Sequence, residues 1–446
     1  MENEKTIVAI ATPIGSAGVG IIRMSGKDSL SIAQKIFDKE IKERNYMYLG
    51  RIKTKNLSER GFVVYFKAPN SYTGEDIIEF QVHGGVLIVN EVLRACIDNG
   101  AAIAERGEFT KRAFLNGKVS LNEAESIMDY INAQSNAELM ASQNLLNGNF
   151  SKQINEYIEI LKDCLAQINV TFDYPEHDDE YRTANEIKGD IKQLNKKLDK
   201  LIDSYQSGRM LRQGVNVCLV GAPNVGKSSI LNALMNNDVA IVTDIAGTTT
   251  DTLTESYVYN NVRFNIIDTA GLRESDNQIE KLGIERTLKN MDLADIVLCV
   301  FDATNLKNAK ELLDKTEGRK RLLIFNKCDL PYDIDDINEL AYDKDFVIMS
   351  AKNCELVDNL KQKIYDKTLS EKLDFNSNII LNERHYNLLK NAKDSLMRAI
   401  ENMNDVTLDC TACDIMEAYN YLSQLIGYGD IEDILDTIFS KFCLGK

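Results

Sequence analysis

Eight consecutive residues near the middle of the chain have the spacing of a phosphate-binding loop. The run Gly221-Ala222-Pro223-Asn224-Val225-Gly226-Lys227-Ser228 fits the pattern G-x-x-x-x-G-K-[ST]. Its glycines let backbone N–H groups curl around a phosphate, while Lys227 would reach the β- and γ-phosphates and the Ser228 hydroxyl would bind Mg²⁺. The apolar run Val215–Val220 precedes it and the helix-like run Ser229–Met235 follows. This order predicts a nucleotide site formed by Asn224, Val225, Gly226, Lys227, Ser228 and Ser229.

Further segments follow the loop in the order expected of a hydrolase that uses Mg²⁺. Asp268 ends a strand-like run and would hold Mg²⁺ through water, and the Gly271 N–H would sense the γ-phosphate. A switch loop, Gly247-Thr248-Thr249-Thr250-Asp251, supplies a threonine for Mg²⁺. These segments add Thr249 to the magnesium ligands, and Asp268, Thr269, Ala270 and Gly271 to the nucleotide site.

The base-recognition segment favours guanine. Asp329 of Asn326-Lys327-Cys328-Asp329 can accept hydrogen bonds from N1–H and the 2-amino group of guanine, a donor pair that adenine lacks. Losing such a pair costs several kcal/mol, which excludes ATP. Ser350, Ala351 and Lys352 follow another strand-like run and would brace the base. The substrate is therefore predicted to be GTP, contacted also by Asn326, Lys327, Asp329, Ser350, Ala351 and Lys352.

The catalytic groups differ from those of Ras-like enzymes. Leu272 follows Asp-Thr-Ala-Gly where those enzymes have a glutamine that orients water, and the switch loop has no obvious arginine. An apolar side chain cannot orient water, so another group must do so.

Composition predicts a globular protein of about three domains in a reducing compartment. The chain has 446 residues, 44% of them hydrophobic, and nine cysteines without regular spacing. No window approaches the length of a membrane span, and the first residues do not form a signal peptide, so a cytoplasmic location is expected. The net charge of −16 disfavours broad, non-specific nucleic-acid binding but leaves room for a local basic surface or a partner protein.

Hydrophobic patterns divide the chain into three kinds of region. Short strand-like runs mark the first 118 residues (Ile7–Ala11, Val19–Met24, Phe62–Phe66 and Ile77–His83). Helical spacing dominates from Leu121 to about Tyr205 and again from Ile380 onward. Strands and helices alternate between them (strands Val215–Val220, Phe264–Ile267, Val297–Phe301, Leu322–Phe325 and Phe346–Met349). The predicted fold is multidomain α/β: an α+β domain, an all-α helical domain, and an inserted Ras-like doubly wound P-loop GTPase domain.

Three local patterns have structural interpretations. Glu79 and His83 could be a metal pair, but a hydrogen-bonded structural pair on a strand is favoured because no third ligand is in view. Cys410 and Cys413 resemble a redox or metal pair, yet core-facing cysteines in a helix are favoured. The run Asp333–Asn338 is interpreted as a solvated loop rather than a calcium site.

Over essentially its whole length the sequence resembles the MnmE family, the tRNA wobble-uridine-modification GTPases also called TrmE. In the G domain the resemblance rests on Asn224 and on Thr243-Asp244-Ile245-Ala246-Gly247-Thr248-Thr249. It implies that K⁺ lies beside the β- and γ-phosphates and replaces an arginine finger. The ion's ligands would be Asn224, Thr243, Ile245 and Thr248, and Glu280 would orient the water. Thr250 stands where members of the family usually have arginine.

The N-terminal and C-terminal segments also resemble the family. They include Ile7–Arg23, Ser71–Gly85, Arg106–Glu125 and the tail Phe442-Cys443-Leu444-Gly445-Lys446. The resemblance implies a pocket for 5,10-methylene- or 5-formyl-tetrahydrofolate formed by Arg23, Glu79, Lys118 and Lys446. It also implies a tail folded back toward that pocket, with Cys443 taking part in the modification; a frayed tail is the alternative.

The resemblance implies a homodimer that works with a flavoprotein, MnmG, as a hetero-oligomer. Together they would add an aminomethyl or carboxymethylaminomethyl group to C5 of the wobble uridine (U34) of certain tRNAs, while GTP hydrolysis controls G-domain association. Residues 1–118 would bind folate and dimerise, 119–212 and 373–446 would form the helical domain, and 213–372 the G domain. The alternatives are a regulatory GTPase of ribosome assembly and a scaffold with a vestigial GTPase.

Overall fold

The computed structural model describes most of the chain, namely residues 5–173, 184–235, 255–267, 288–307, 309–342, 345–354, 356–369, 382–405, 408–429 and 432–445. Two compact units are formed. One comprises Met1–Met128, Leu145–Ile191 and Asp394–Lys446, and the other comprises Asp129–Asn144 and Lys192–Lys393. The domain boundaries given above remain predictions.

A six-stranded sheet lies in the first unit. Its strands are β1 (Ile7–Ile10), β2 (Ala17–Ser25), β3 (Met47–Lys53), β4 (Ser58–Phe66), β5 (Ile77–Gly84) and β6 (Ala102–Ile103). Their order is β3-β4-β5-β2-β1-β6, and every neighbouring pair is antiparallel except β1 and β6. The four predicted strand-like runs all lie in this sheet, whereas β3 and the two-residue strand β6 were not predicted.

The two faces of this sheet have different roles. Ile22, Met24 and Phe80 join a buried core with α1 (Ser29–Ile36) and α2 (Val86–Asp98). Because side chains alternate along a strand, Arg23 and its cross-strand partner Glu79 lie on the opposite face. That opposite face carries the polar groups discussed below.

Between β6 and β7 the described part of the chain contains six helices, and the longest of them has a clear helical period. They are α3 (Glu108–Leu115), α4 (Leu121–Asn132), α5 (Asn136–Leu146), α6 (Asn149–Asp173), α7 (Ala184–Asp203) and α8 (Tyr205–Gln213). In α6, Phe150, Ile154, Leu161 and Ile168 are buried, as expected of an amphipathic helix.

A second six-stranded sheet lies in the second unit. Its strands are β7 (Val215–Val220), β8 (Glu255–Tyr259), β9 (Val262–Ile267), β10 (Ile296–Asp302), β11 (Arg321–Asn326) and β12 (Phe346–Ile348). The order is β12-β11-β10-β7-β9-β8, and all neighbouring pairs are parallel except β8 and β9. Since the order reverses at β7, the loop after β7 lies at a topological switch point, where such sheets bind ligands.

Helices alternate with these strands. They are α9 (Lys227–Met235), α10 (Ala309–Lys315), α11 (Ile334–Leu340) and α12 (Val357–Thr368). Phe301 and Phe325 pack with Leu313 of α10 and Ile337 of α11, and α12 contacts both α9 and β10. This arrangement confirms the predicted doubly wound fold.

The last described helices are α13 (Glu383–Asp405), α14 (Leu408–Ile426) and α15 (Glu432–Phe439). In the first unit, α14 packs against α6. The helical character of this region confirms the all-α part of the predicted fold. None of the helices that the structure describes combines the length and apolarity that crossing a bilayer requires.

Two predictions about residues that lie in helices were wrong. Cys410 and Cys413 are exposed rather than core-facing, because Thr411 and Ile415 occupy the buried side of α14. The run Asp333–Asn338 is not a loop: Asp333 caps α11 by accepting a hydrogen bond from the Asp335 N–H. Its residues are nevertheless mostly exposed, and the described residues contain no cluster of metal ligands.

Candidate functional site

The phosphate loop joins the buried strand β7 to the first turn of α9. Two of its residues have left-handed backbone angles, Asn224 with φ 61° and Gly226 with φ 98°. A Cβ on Gly226 would lie 2.1 Å from Nδ2 of Asn326, so any side chain there would collide with the base-recognition segment. Gly221 is equally confined, because a Cβ there would lie 2.4 Å from the Val300 carbonyl oxygen. Both pattern glycines are therefore required by close packing.

Lys227 already faces the concave side of the loop. Its Nζ donates hydrogen bonds to the carbonyl oxygens of Gly221 and Ala222, both at 2.9 Å. Burial lowers the pKa of Lys227. The ammonium therefore lies where it can exchange neutral acceptors for phosphate oxygens, which bind a cation more strongly. Ser228, predicted for Mg²⁺, follows in the same turn of α9.

Asn326 fastens three nucleotide segments together. Its Nδ2 donates to the Val225 carbonyl of the phosphate loop at 2.9 Å, and its Oδ1 accepts from the Ala351 N–H at 3.0 Å. The side chain is only 3% exposed. Both bonds are buried, so breaking them would leave unpaired polar groups in the core. Asn326 thus sets the distance between the phosphate end and the base end of the site.

The guanine-recognition side chains lie at the carboxyl ends of β11 and β12. Oδ1 of Asp329 accepts a hydrogen bond from the Ser350 hydroxyl at 2.7 Å. That bond holds the pKa of the Asp329 carboxyl below its usual range, so the group is charged at neutral pH. The residue is also exposed. Lys327 has a left-handed φ of 70°, and its ammonium lies 2.6 Å from Oδ2 of Asp302. Lys352 is exposed beside them in sequence.

The structure brings together the phosphate loop and the base-recognition residues. The remaining predicted nucleotide and metal residues lie outside the described residues, namely Thr243, Asp244, Ile245, Ala246, Gly247, Thr248, Thr249, Asp268, Thr269, Ala270, Gly271 and Glu280. Their placement remains a prediction, as does that of Lys446. For Mg²⁺ and K⁺, the described residues supply the Ser228 and Asn224 oxygens, donors that suit hard cations.

A second polar group lies on the first sheet. The Nε of Arg23 donates to Oε1 of Glu79 at 2.8 Å, and both side chains are largely buried. The guanidinium lies over the rings of Tyr72 and Phe109, with 5.7 and 5.9 Å to the ring centres. His83 contacts Glu59 and not Glu79, so the predicted hydrogen-bonded pair of Glu79 and His83 was wrong. Glu79 keeps an oxygen available for a ligand with a donor edge.

Lys118 is attached to the loop that carries Tyr72. Its Nζ donates to the Pro69 carbonyl oxygen at 2.9 Å, and Gly74 packs against its side chain. Tyr72 in turn exchanges a hydrogen bond with the Thr110 hydroxyl at 2.8 Å. The predicted folate residues Arg23, Glu79 and Lys118 therefore contact one sheet face and the loop beside it.

Sequence reasoning missed Arg112, which holds this region together. Its guanidinium is 2% exposed and donates to Glu75, to Glu108 and to the Lys5 carbonyl, at 2.8 to 3.3 Å. Glu75 also accepts from the Ser25 hydroxyl at 2.8 Å. The only signal was the i, i+4 spacing of Glu108 and Arg112 on α3, which reads as an ordinary helical ion pair.

The tail segment, Phe442 to Gly445, is packed and not frayed. Phe442 is 3% exposed in a core with Leu121, Ala124 and Phe439. Leu444 forms an antiparallel bridge with Arg106, just before α3. Gly445 has φ 91°, and a Cβ there would lie 2.4 Å from the Ile10 carbonyl oxygen at the end of β1. Cys443 is exposed between these anchored neighbours.

Comparisons with known proteins cover the whole chain. A family model described as the MnmE helical domain matches residues 121–443, and one described as the GTP-binding protein TrmE N-terminus matches residues 6–118. The tRNA modification GTPase MnmE of Ligilactobacillus salivarius (strain UCC118) is 38% identical over 454 residues, covering 99% of this chain and 98% of that protein. The chain belongs to the MnmE family.

Other MnmE relatives give the same result. The tRNA modification GTPase MnmE of Acetivibrio thermocellus is 38% identical over 459 residues, with 100% of both chains covered. That of Clostridioides difficile (strain 630) is 36% identical, with 99% of both covered. The solved G domain of the T. maritima FeoB iron transporter is 27% identical over 34% of this chain, but its TM-score of 0.27 is too low to support an argument. As a member of the MnmE family the chain is a GTP hydrolase, which confirms the predicted enzyme class.

Proposed function

We propose that the chain is a K⁺-stimulated GTPase of tRNA modification that works in the cytoplasm with an MnmG-type FAD protein. The pair adds an aminomethyl or carboxymethylaminomethyl group to C5 of U34 in certain tRNAs. The carbon comes from 5,10-methylene- or 5-formyl-tetrahydrofolate. GTP hydrolysis controls the reaction through association of the G domains in a homodimer.

The observation that carries this proposal is the position of Cys443. Its neighbours Phe442, Leu444 and Gly445 are fixed against the start of α3 and the end of β1. β1 is paired with β2 so that Ala9 lies opposite Arg23. An exposed thiol is thus held near the strands that carry the Arg23–Glu79 pair. A GTPase that acted only as a switch would need neither feature.

The Arg23–Glu79 pair fits the polar ends of a folate. A pterin presents a donor edge, which the Glu79 carboxylate can accept, and a glutamyl tail carries carboxylates that Arg23 or Lys118 can bind. The ring of Tyr72 next to Arg23 is 38% exposed and offers apolar surface for an aromatic ligand. Folate, when bound, supplies the one-carbon unit; the residues described here bind and orient it. The role of Lys446 belongs to the same proposal.

In the G domain, the described residues bind and align GTP. The Lys227 ammonium binds the β- and γ-phosphates, the phosphate-loop N–H groups donate hydrogen bonds to them, and the Asp329 carboxylate selects guanine. Mg²⁺ and K⁺, when bound through the hydroxyl of Ser228 and the amide of Asn224 together with the predicted switch-loop ligands, neutralise charge on the phosphates. Glu280 is proposed to orient the water because Leu272 cannot.

An exposed apolar surface supports the proposed homodimer. Leu49 and Phe62 are direct cross-strand partners at the β3–β4 edge, and they are 37% and 39% exposed. Met47, which is 49% exposed, lies on the same face of β3. A double change, Leu49→Arg with Phe62→Arg, is expected to give a monomer in sedimentation equilibrium. A dimer that persists would place the interface elsewhere.

The acidic net charge of −16 supports the proposal that most of the basic tRNA surface belongs to the partner protein. This predicts weak tRNA binding by the chain alone and strong binding by the complex at physiological salt. Strong binding by the isolated chain would contradict that division. The cytoplasmic location is supported by the nine cysteines, all described and none joined in a disulfide.

The test is nucleoside analysis of tRNA from a strain that lacks this gene, complemented in turn with the natural chain, Cys443→Ser and Cys354→Ser. Loss of the modified wobble uridine in the deletion strain, recovery with the natural chain and with Cys354→Ser, and none with Cys443→Ser are expected. Cys354 is the matched control because its thiol is also exposed. Unchanged wobble nucleosides in the deletion strain would refute the proposed function, and rescue by Cys443→Ser would refute the role of this thiol.

A further inference from the structure

Two thiols lie on the exposed side of the first turns of α14. Cys410 and Cys413 are both exposed, while Thr411 between them and Ile415 after them are fully buried. Residues three apart are neighbours on a helix surface, so the two thiols share one patch. Neither has a part in GTP hydrolysis or in the proposed folate chemistry. Their position is therefore unexplained by the function of the family.

The helix brings this pair within reach of a disulfide. Residues i and i+3 of an α-helix have Cα atoms about 5 Å apart, and disulfides span Cα separations of about 4.4–6.8 Å. Their Cβ atoms lie about 5–6 Å apart, whereas a disulfide needs about 3.5–4.5 Å. The backbone distance is thus already suitable, and closing the bond requires a local adjustment of one turn.

The same turn contains a buried polar group that the described structure does not satisfy. The Thr411 hydroxyl is fully buried, and no hydrogen-bond partner for it exists among the described residues. A buried group of this kind makes its conformation less favourable than a fully satisfied one. Rearranging this turn therefore costs less free energy than rearranging a turn whose buried polar groups are all hydrogen-bonded.

We propose that Cys410 and Cys413 form a dithiol site that a hydroperoxide oxidises to a disulfide. One thiol loses its proton and the thiolate attacks an oxygen of hydrogen peroxide. The O–O bond breaks, a sulfenic acid forms, and the released hydroxide takes up the proton and leaves as water. The second thiol attacks that sulfur, the S–S bond forms, and a second water leaves. The two thiols lose two electrons and hydrogen peroxide gains them. Because a disulfide within one helical turn is strained, glutathione reduces it readily.

The disulfide acts on the neighbouring contact between α13 and α14. Asp414, the residue after Cys413, accepts from Arg398 Nε at 3.1 Å and from Asn402 Nδ2 at 2.7 Å. Both donors belong to α13. Closing the turn moves the backbone next to Asp414 and lengthens these bonds. Oxidation is therefore expected to loosen α13 from α14.

The experiment uses the reduced full chain with hydrogen peroxide. After oxidation, open thiols are blocked with N-ethylmaleimide and the peptide that contains residues 410–413 is measured by mass spectrometry. The expected result is a loss of two hydrogens in that peptide without alkylation, reversed by glutathione. Cys410→Ser and Cys413→Ser each abolish the crosslink. A register control, Ala412→Cys with Cys413→Ala, keeps two thiols but turns one away, so it should not form the crosslink.

The thermal unfolding temperature supplies the second measurement. Oxidation should lower it in the natural chain and leave Cys413→Ser unchanged, because the loosening requires the crosslink. Three results would overturn the proposal: both thiols still alkylated under conditions that oxidise exposed Cys354, a crosslink from either thiol to another cysteine, or an equal crosslink in the register control. The site is independent of the GTPase and of Cys443, so its failure would leave the proposed function untouched.

Discussion

The ammonium of Lys327 lies 2.6 Å from Oδ2 of Asp302, and this ion pair holds a guanine-recognition lysine against the neighbouring strand. Asp302 pairs in register with Asn326, the residue before Lys327. Oδ1 of Asp302 accepts from the Thr304 N–H and hydroxyl at 3.0 and 2.7 Å. Burial by itself would raise the pKa of the Asp302 carboxyl. Hydrogen bonds from Lys327 and Thr304 have the larger combined effect, so the pKa lies below its usual range.

Asp302→Asn should weaken guanine-nucleotide binding without removing a group that contacts the nucleotide. Loss of a partly buried ion pair costs about 1 kcal/mol, which corresponds to about a five-fold rise in Kd. Fluorescent GDP titration measures this change. Asp292→Asn is the control. Asp292 and Arg319 form a 2.7 Å ion pair before the starts of β10 and β11, whereas Asp302 and Lys327 lie at the other ends of those strands. Equal affinity in both variants would show that Asp302 does not position Lys327.

Gly226→Ala should abolish nucleotide binding. The substitution combines a left-handed φ of 98° with a Cβ placed 2.1 Å from Asn326 Nδ2. Gly318→Ala separates the two effects, because Gly318 has φ 76° with open space around its Cβ position. The control should lose about 1–2 kcal/mol of stability and keep GDP binding. Normal GDP affinity in Gly226→Ala would mean that the loop and Asn326 can move apart.

Asn224→Gly tests the potassium site without straining the backbone. Asn224 has φ 61°, which glycine adopts freely and alanine does not. The GTPase rate in K⁺ divided by that in Na⁺ should fall toward one in this variant. GDP affinity should change little, because the loop backbone keeps its shape. A preserved K⁺ preference would remove Asn224 from the ion's ligands.

Glu79→Gln should reduce binding of 5-formyl-tetrahydrofolate at least ten-fold in equilibrium dialysis, because a carboxylate accepts from a donor edge far better than an amide does. Glu59→Gln is the matched control, since Glu59 lies on the adjacent strand and contacts His83 rather than Arg23. The GTPase rate should be unchanged in both. Equal folate binding by the two variants would contradict the proposed pocket.

Cys96 should make the first unit lose stability in alkali. Burial raises the pKa of this thiol to about 12, against about 8.5 in an unfolded chain. The folded state therefore keeps a proton that the unfolded state releases. The resulting stability is complete below about pH 8.5 and is lost as the pH rises toward 12.

Chemical denaturation between pH 7 and pH 10 checks this expectation. Cys96→Ala should lower the free energy of unfolding at pH 7, because it leaves a small cavity in the core. Above about pH 8.5 its curve should fall less steeply than that of the natural chain. Parallel curves would show that this thiol does not contribute to the pH dependence.

Local patterns allowed much of the fold to be predicted, including the strands that carry the phosphate loop and the two base segments. The phosphate loop and the two base segments each combine a buried strand with residues directly after it, so their types and spacing are readable. The hydrogen bond from Asn326 to the phosphate loop is not readable from local sequence, because it connects residues 101 positions apart. Arg112 was missed for the same reason: its partner Glu75 belongs to a distant loop.

The error at Cys410 and Cys413 has a different cause. Thiols, Thr411 and Ala412 have intermediate polarity, so this short stretch does not reveal which side of the helix is buried. The period of Ile415, Ala418 and Leu422, all fully buried, sets the rotation and turns Thr411 inward. That longer pattern was present in the sequence and predicts the observed exposure.

The packing of the tail also sets an order of events during synthesis. Lys111 of α3 donates a hydrogen bond to Asp436 of α15 at 2.7 Å, and the two residues are 325 positions apart. At about 5–20 residues per second, the ribosome needs on the order of half a minute to make that stretch. The apolar surface of Leu121 and Ala124 therefore waits uncovered until Phe439 and Phe442 emerge. A chaperone that binds nascent chains would find a long-lived target at that surface.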